Sequence, residues 1–331
     1  MSISHDSLFR ALIDDVGRAG VLIRDYLPEI IASRLADEPP VLLDGTFIDP
    51  ALKASQSDRL FSVTLRDGGT ALLYILFEHK SAPDSFILLQ LLGYRIEIWR
   101  RYAGNSAYRA LNLPPIIPLV FYHGKQEWKL PLSITECLDA DQELRGYLSD
   151  MSYVLCDLGH IPDGELASDA EVCAGLLPLK HVYRGTDPEV LLTAILPRLS
   201  DGTHLEEQVI RYMIRLFPAI TIELLTSVAR RIKPHREGEL ISLAAKEWLR
   251  QGEEAGFAKG KEFGFLKGEE LGVAKAKVET ILITLQTRFG LVPDDVEAQV
   301  RQSSPELLDD LFKRALTVAS LELVFTGDSR H

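Results

Sequence analysis

Residues 70–77 read TALLYILF, an apolar run of eight residues that contains no charged side chain. A run of this length, bounded by turn residues, is typical of a strand buried on both faces of a sheet. The preceding residues 58–65 alternate and are rich in strand formers, and residues 66–69 (RDGG) supply a turn. These patterns predict a β-hairpin over residues 58–79 whose second strand is central in its sheet.

Charged side chains stand at both ends of this hairpin. Folding it back brings Asp58 close to the end of the second strand, where Glu78, His79 and Lys80 follow one another. Because side chains alternate along a strand, Glu78 and Lys80 share one face and His79 takes the other. Cross-strand neighbours lie about 4.5–5.5 Å apart, within reach of one bridging cation. Asp58 faces Glu78 only if the register is even, which a four-residue turn leaves open.

This cluster suits a divalent metal, because carboxylate oxygens are the hard ligands that Mg²⁺ or Mn²⁺ prefers. We expect Asp58 and Glu78 to hold the ion and the backbone carbonyl of His79 to add a ligand. Lys80 would orient the attacking water and help to keep it deprotonated, while the metal neutralises charge on a scissile phosphate. Charged residues end many strands, so the signal gains weight from the central, buried strand that the cluster follows.

Composition and charge narrow the function classes. The net charge of −12 argues against a protein that coats nucleic acid non-specifically. A local excess of four positive charges nevertheless follows the cluster, between residues 86 and 129, and it is either a solvated surface or a phosphate-facing one. The residues that contribute are Arg95, Arg100, Arg101, Arg109, Lys125 and Lys129, against Glu97 and Glu127.

The sequence predicts a cytoplasmic protein without a membrane span. It shows no run of 18 apolar residues and no basic patch followed by an apolar core at its start. Its three cysteines are odd in number and lack CxxC spacing, so a disulfide framework or a zinc site is a poor interpretation.

The order of predicted elements indicates an α/β domain over residues 1–160. Helices are expected over 6–36, a short strand or strand pair over 41–48, the hairpin, a helix over 86–102, and a buried strand over 116–122. The last should run parallel to the second hairpin strand through a right-handed crossover. Residues 153–158 predict an edge strand, and from about residue 163 the signals are helical. We therefore predict a helical region at 161–250, a glycine-repeat linker at 251–275 and a small helical module at 276–331.

Two helix starts and one repeat stand out in the second half. A helix opens at Pro188 with Thr186 or Asp187 as its cap, and another opens at Pro305 after Ser304. Glycine recurs at every fourth position from 252 to 272. Each glycine inside a helix costs about 0.5–1 kcal/mol relative to alanine. The repeat is interpreted either as a weakly ordered helical linker, which we favour, or as a surface for close helix pairing in an oligomer.

Several segments together resemble a known family, the recombination-promoting nucleases, also described as YhgA-like transposases, of the PD-(D/E)XK nuclease superfamily. The resemblance covers about residues 1–160. The matching segments are HDSLF at 5–9, FIDP at 47–50, SDRLF at 57–61, FEHKSAPD at 77–84, LLGY at 91–94, IW at 98–99 and IPLVFYHG at 117–124, with Trp128.

The resemblance implies a restriction-endonuclease-like αβββαβ core with a mixed sheet, and a magnesium-dependent DNA endonuclease. By resemblance, Asp58, Glu78 and Lys80 take the Asp…Glu-x-Lys roles of the superfamily. This family more often carries glutamine where Lys80 stands. Where relatives tend to have arginine, this chain has Gln90, which puts a phosphate contact there in doubt but allows one to a metal-bound water. Double-strand cutting would need two active sites, so a homodimer is a possible assembly.

Other candidate residues have simpler interpretations. His79 and His123 are expected to pack or to hydrogen-bond, and Asp6 and Glu29 to cap helices or lie exposed. The aromatic residues Tyr94, Trp99 and Tyr102 are expected to pack in the core. Two rival functions remain open: an interaction protein whose nuclease core is catalytically idle and whose helical half binds partners, and a DNA-binding recombination factor without chemistry.

Overall fold

The computed structural model describes residues 5–43, 59–78, 83–104, 113–139, 143 and 150–326. Three of the predicted site residues, Asp58, His79 and Lys80, lie outside the described residues, and Glu78 is described by its backbone alone. The chain divides into two compact units, Met1–Leu249 and Arg250–His331.

Strands occupy the first half of the described chain: β1 (Val41–Leu42), β2 (Arg59–Thr64), β3 (Thr70–Glu78), β4 (Ile116–Tyr122) and β5 (Val154–Asp157). The helices among and before them are α1 (His5–Ile13), α2 (Val16–Tyr26), α3 (Glu29–Ala32) and α4 (Ile87–Gly104). Those that follow are α5 (Ala170–His181), α6 (Pro188–Ile195), α7 (His204–Leu216), α8 (Ile222–Ile232), α9 (Glu237–Phe289), α10 (Asp294–Arg301), α11 (Pro305–Thr317) and α12 (Leu321–Phe325).

The five described strands form one mixed sheet in the order β1-β2-β3-β4-β5. The strands β1, β2 and β3 are antiparallel neighbours, and β4 and β5 continue the sheet in parallel. The predicted hairpin, the central position of its second strand and the parallel return through α4 are confirmed. The edge strand predicted at 153–158 is also confirmed, as the four-residue β5.

The sheet is covered on both faces, which explains the uninterrupted apolar run in β3. One face carries Leu72 and Tyr74 of β3 against the buried side of α4, including Tyr94, whose ring lies 5.0 Å from that of Tyr74. The other face carries Leu73 of β3 and Phe121 of β4 against helices from both ends of the first unit. A strand between two packed layers has no solvent-facing side to make polar.

The main hydrophobic core of the first unit crosses residue 160. It runs from Leu8 in α1 through the odd-numbered face of β3 to Ala244 in α9. Helices α1 and α5 approach closely because α5 carries Gly175: a Cβ at that position would lie 2.5 Å from Cδ2 of Leu12. The domain boundary predicted near residue 160 stays a prediction, but the apolar packing is continuous through that point.

The predicted helix starts are present, and the structure identifies their caps. Asp187 accepts the N–H of Glu189 and so caps α6, whereas the Thr186 hydroxyl lies 2.6 Å from Nδ1 of His181. Ser304 caps α11 by accepting the N–H of Leu307.

The second unit has a small hydrophobic core of its own. It is formed by Val278, Ile281 and Leu285 at the end of α9 and by apolar residues of α10, α11 and α12. The glycine repeat lies inside α9, where a Cβ added at any of the six glycines from 252 to 272 would meet nothing within 4 Å. Within the described residues, no helix combines the length and apolar character needed to cross a membrane.

Candidate functional site at the carboxyl edge of the sheet

Three residues form a row where the parallel strands end. Glu78 of β3 pairs with Tyr122 of β4, which in turn pairs with Asp157 of β5. Neighbouring strands lie about 4.8 Å apart, so the row from Glu78 to Asp157 spans roughly 10 Å. Open sheets with parallel strands bind ligands outside this edge. The predicted site therefore has its described member, Glu78, at the position where a ligand is expected.

The hairpin register bears on the predicted metal cluster. Arg59 pairs with Ile75 and Leu60 with Tyr74, so odd-numbered residues of β2 face odd-numbered residues of β3. The described ladder thus has the even register that the cluster requires. Because Asp58, His79 and Lys80 lie outside the described residues, the cluster itself stays a prediction. In the part of the chain that is described, no group of three or more His, Cys, Asp or Glu side chains is arranged to hold a metal ion.

An ion pair fixes the first residue of the hairpin. Arg59 donates its Nε–H to Oδ1 of Asp14 at 2.7 Å, just after the end of α1. The arginine side chain is 14% exposed and its partner 40%. A salt bridge between half-covered groups contributes modestly to stability, but it orients the chain at the residue that follows Asp58 in sequence.

A buried histidine follows the central row. His123, directly after Tyr122, is fully buried, and its Nδ1 lies 3.2 Å from the carbonyl oxygen of Leu179 in the last turn of α5. A carbonyl only accepts, so Nδ1 donates its N–H to this oxygen. The packing role expected for His123 is in agreement with this burial.

A second histidine and two tyrosines complete the same cluster. Nδ1 of His5 lies 2.7 Å from the hydroxyl of Tyr212, and its Nε2 lies 3.0 Å from that of Tyr183. The rings of His5 and His123 are 4.7 Å apart, and Tyr183 stacks on His123. Burial raises the pKa of both phenols, that of Tyr212 well above its ordinary value. Both hydroxyls therefore stay protonated, and the cluster ties α1 and the end of β4 to α7.

An arginine lies between the exits of β4 and β5. Arg184 donates from Nη1 to the carbonyl of Lys180 and from Nη2 to that of Gly124, the latter at 3.1 Å. Its guanidinium also packs on Gly159, where a Cβ would lie 2.3 Å from Nη2. The glycine at 159 therefore makes room for the arginine at this edge.

Asp157, the β5 member of the row, uses both of its carboxylate oxygens in contacts with residues that follow it in sequence. Its Oδ1 accepts the N–H of Gly159 at 2.9 Å, and its Oδ2 lies 2.8 Å from Nδ1 of His160. These contacts cap the 3-10 turn at Leu158–His160. The carboxylate is 11% exposed and is a structural group first.

The positive segment predicted after the cluster divides between the two ends of the sheet. Trp99 donates to the carbonyl of Pro114, ahead of β4, and Arg95 stacks over the Trp99 ring at 4.5 Å. Burial lowers the pKa of Arg95. These residues therefore lie near the amino end of β4, opposite the row of Glu78.

Most of the remaining basic residues of the segment are paired. Arg100 and Arg101 pair with Glu97, and Lys129 pairs with Glu127. Arg109 lies outside the described residues. Arg100 and Arg101 therefore fit the interpretation of the segment as a solvated surface. Lys125 lies instead after the end of β4, at the carboxyl edge of the sheet.

The other candidate residues are accounted for. Gln90 donates to the hydroxyl of Tyr94 at 3.0 Å. Tyr94 is buried and Trp99 half-buried, as expected for packing residues, and Tyr102 is half-buried as well. Asp6 lies in the first turn of α1, and Glu29 opens α3 in an exposed position.

Sequence reasoning missed the tyrosines and the arginine at this edge. His5 is 178 residues from Tyr183 and 207 from Tyr212 along the chain. Nothing in their local sequences distinguishes these side chains from ordinary helix residues. Two members of the cluster, His5 and His123, lie in segments that carry the family resemblance, HDSLF at 5–9 and IPLVFYHG at 117–124.

Comparison with known proteins gives a consistent picture. A family model described as "Putative transposase, YhgA-like" matches residues 3–210. The chain is 28% identical over 260 residues to "Recombination-promoting nuclease RpnA" of Escherichia coli (strain K12), covering 77% of this chain and 86% of the relative. It is 29% identical over 184 residues to "Recombination-promoting nuclease RpnD" of Escherichia coli O157:H7, covering 55% and 68%.

A further relative carries a different description. The chain is 27% identical over 183 residues to "Inactive recombination-promoting nuclease-like protein RpnE" of Escherichia coli (strain K12), covering 55% of this chain and 59% of the relative. No solved structure matches the chain.

Proposed function

The chain belongs to the YhgA-like putative transposase family, and on that premise we propose that it is a metal-dependent DNA endonuclease that hydrolyses phosphodiester bonds in the cytoplasm. Its relatives RpnA and RpnD are named recombination-promoting nucleases. The observation that carries the proposal is the position of Glu78, which ends the central strand of a mixed sheet at the edge where ligands bind.

The proposed fold is the restriction-endonuclease-like core of the PD-(D/E)XK superfamily. Support comes from the described order of elements: a helix, an antiparallel hairpin, a crossover helix and a parallel strand. In that core, Asp58 and Glu78 would provide carboxylates on one face of the hairpin, as the even register of β2 and β3 allows. Lys80 would follow two residues after Glu78, on the same side by strand alternation.

In the proposed mechanism, Asp58, Glu78 and the backbone carbonyl of His79 would hold Mg²⁺ or Mn²⁺. Their donor set is all oxygen, which is the chemistry these ions require. A bound ion would polarise the phosphodiester and lower the pKa of a coordinated water. The ammonium group of Lys80 would orient that water toward the phosphorus and stabilise its deprotonated form.

Nicking of supercoiled plasmid DNA tests the proposal. Wild-type protein is expected to nick DNA with Mg²⁺ and to stop when EDTA is added. Asp58→Asn, Glu78→Gln and Lys80→Gln are each expected to lose cleavage while keeping the circular dichroism spectrum of the wild type. Asp67→Asn is the matched control, because Asp67 lies at the exposed turn of the same hairpin. Continued cleavage by purified Glu78→Gln protein would rule out the proposed site.

The second candidate is an interaction protein with a catalytically idle nuclease core. The relative named as inactive favours it, since the family evidently contains such members. A folded wild-type protein that fails to nick DNA with Mg²⁺ or Mn²⁺ would select this candidate. Sedimentation of the same protein would establish whether a homodimer is present, which double-strand cutting needs.

A further inference from the structure

Arg184 is a half-buried cation whose described hydrogen bonds leave its charge uncompensated. Its acceptors are the backbone carbonyls of Lys180 and Gly124, which carry no net charge. Among the described residues, no carboxylate lies within ion-pair distance of its guanidinium, whereas most arginines of the first unit have such a partner. Asp157 approaches the same glycine, Gly159, but its oxygens serve the N–H of that glycine and His160.

Lys125 adds a second cation at the same edge. It follows Gly124, the residue whose carbonyl accepts from Arg184, and its side chain is exposed. It makes no ion pair with any residue in the described ranges, in contrast to Lys129, which lies 3.2 Å from Glu127. Two cations that have no carboxylate partner in the described part of the chain therefore lie at the loop that leaves β4.

The loop lies beside the predicted catalytic strand. Gly124 is two residues beyond Tyr122, the partner of Glu78 across one strand spacing of about 4.8 Å. A duplex that presents a phosphate to Glu78 would bring neighbouring phosphates past this loop, because each strand carries one charge per about 3.4 Å of helix axis. In a chain with a net charge of −12, such local cations are needed to hold DNA at this edge.

We propose that Arg184 and Lys125 contact the phosphodiester backbone of DNA on the β4–β5 side of Glu78. This inference rests on the proposed nuclease function and specifies which surface positions its substrate. The guanidinium is held in place by two carbonyls, so it loses little conformational freedom when it binds a phosphate. Lys125 contributes as a mobile point charge and carries no information about base sequence.

Salt dependence of DNA binding tests the proposal separately from cleavage. The full chain is titrated onto a fluorescently labelled duplex in EDTA, so that DNA is not cut, at a series of salt concentrations. Removing one phosphate contact reduces the slope of log K against log salt by about 0.9. Lys125→Gln and Arg184→Gln are each expected to lower the slope by this amount on any sequence. Lys129→Gln, whose lysine is already paired, and Arg100→Gln, at the other end of the sheet, are expected to leave it unchanged.

Two further variants guard against a purely structural effect. Gly159→Ala would displace the Arg184 guanidinium from its position over residue 159 and would keep its charge, because the new methyl group would collide with the flexible end of the arginine. It is expected to weaken binding, whereas Arg184→Lys is expected to keep the slope. If Arg184→Gln does not fold, the slope measured for Lys125→Gln tests the proposal, because the Lys125 side chain is exposed and its replacement is expected to leave the fold intact.

The outcomes separate the two proposals. Unchanged slopes in Lys125→Gln and in folded Arg184→Gln, or a wild-type protein that does not bind DNA, would overturn the contact surface. Reduced slopes combined with cleavage that survives Glu78→Gln would keep the surface and remove the proposed catalytic site. Unchanged slopes combined with Glu78-dependent cleavage would keep the nuclease and remove the surface.

Discussion

Arg59, the first residue of β2, is bound through its Nε–H to the carboxylate of Asp14, which follows α1. The pair fastens the start of the hairpin to the first helix at the position next to the predicted ligand Asp58. We expect Asp14→Ala to lower DNA cleavage several-fold because the hairpin start is less firmly held. The stability loss should stay below about 1 kcal/mol, as for other partly exposed ion pairs. Cleavage rates and urea unfolding measure the two effects.

The matched control is Asp37→Ala, which removes the partner of Arg66 at the other end of the same hairpin. Asp37 is almost fully exposed, so its loss is expected to leave both cleavage and stability unchanged. Equal cleavage by the two variants would show that the ion pair with Asp14 does not position the site.

The cluster around His5 gives a prediction about stability. Tyr212→Phe removes a buried hydroxyl that lies 2.7 Å from Nδ1 of His5. Leaving that nitrogen without this partner is expected to cost about 1–3 kcal/mol. Tyr183→Phe should cost less, because Tyr183 is less buried. Urea unfolding of both variants measures the difference, and a neutral Tyr212→Phe would contradict a structural role for the hydrogen bond.

The lowered pKa of Asp201 predicts how the free energy of unfolding depends on pH. Hydrogen bonds from Lys233 and then from His235 lower the pKa of Asp201 from 3.8 to about 2. The folded state therefore binds a proton on Asp201 less readily than the unfolded chain does. The ionised carboxylate stabilises the folded state fully above pH 3.8, and this stabilisation is lost as the pH falls toward 2.

Asp201→Asn is expected to be less stable than wild type at neutral pH, and the gap should close on acidification over that range. Denaturant unfolding at several pH values measures the gap. A gap that stays constant down to the lowest pH would show that the ionised carboxylate does not carry the effect.

Two glycine-to-alanine substitutions are expected to change the free energy of unfolding in opposite directions. Gly260→Ala, in an open part of α9, is expected to stabilise the helix by about 0.5–1 kcal/mol. Gly175→Ala, in α5, is expected to destabilise by about 1–3 kcal/mol because its methyl group would collide with Leu12. Thermal unfolding followed by circular dichroism compares them.

The Gly260→Ala variant also tests the two interpretations of the glycine repeat. A weakly ordered linker should gain helical stability without any change in mass in solution. If the wild type self-associates and Gly260→Ala abolishes that association, the repeat is a surface for helix pairing instead. Sedimentation of both proteins distinguishes these results.

The sheet could be predicted closely because its signals are local. The apolar run of β3, the turn before it and the helix between β3 and β4 each specify the next element along the chain, and the right-handed crossover rule supplies the rest. The register of the hairpin could not be predicted, since a slip by one residue fits the same turn composition.

The long-range part of the site had no such signal. His5 meets tyrosines from α7 and from the segment after α5, and Arg184 meets glycines that follow two different strands. These contacts depend on how α5 and α7 pack against the sheet, and helical periodicity is the same whatever a helix packs against. The cap of α6 was undecided for a similar reason: Thr186 and Asp187 both suit the role, and His181 engages the threonine.

The core that continues past residue 160 constrains how this gene can be shortened. A polypeptide ending after β5 would leave the apolar sides of α1 and of one sheet face bare, among them Phe9, Leu12 and Phe121. Such a product would be prone to aggregation and proteolysis, so no small catalytic fragment is expected to survive. Premature stop codons between the end of β5 and Ala244 should therefore act as complete loss-of-function alleles, even though every residue of the predicted metal cluster is translated.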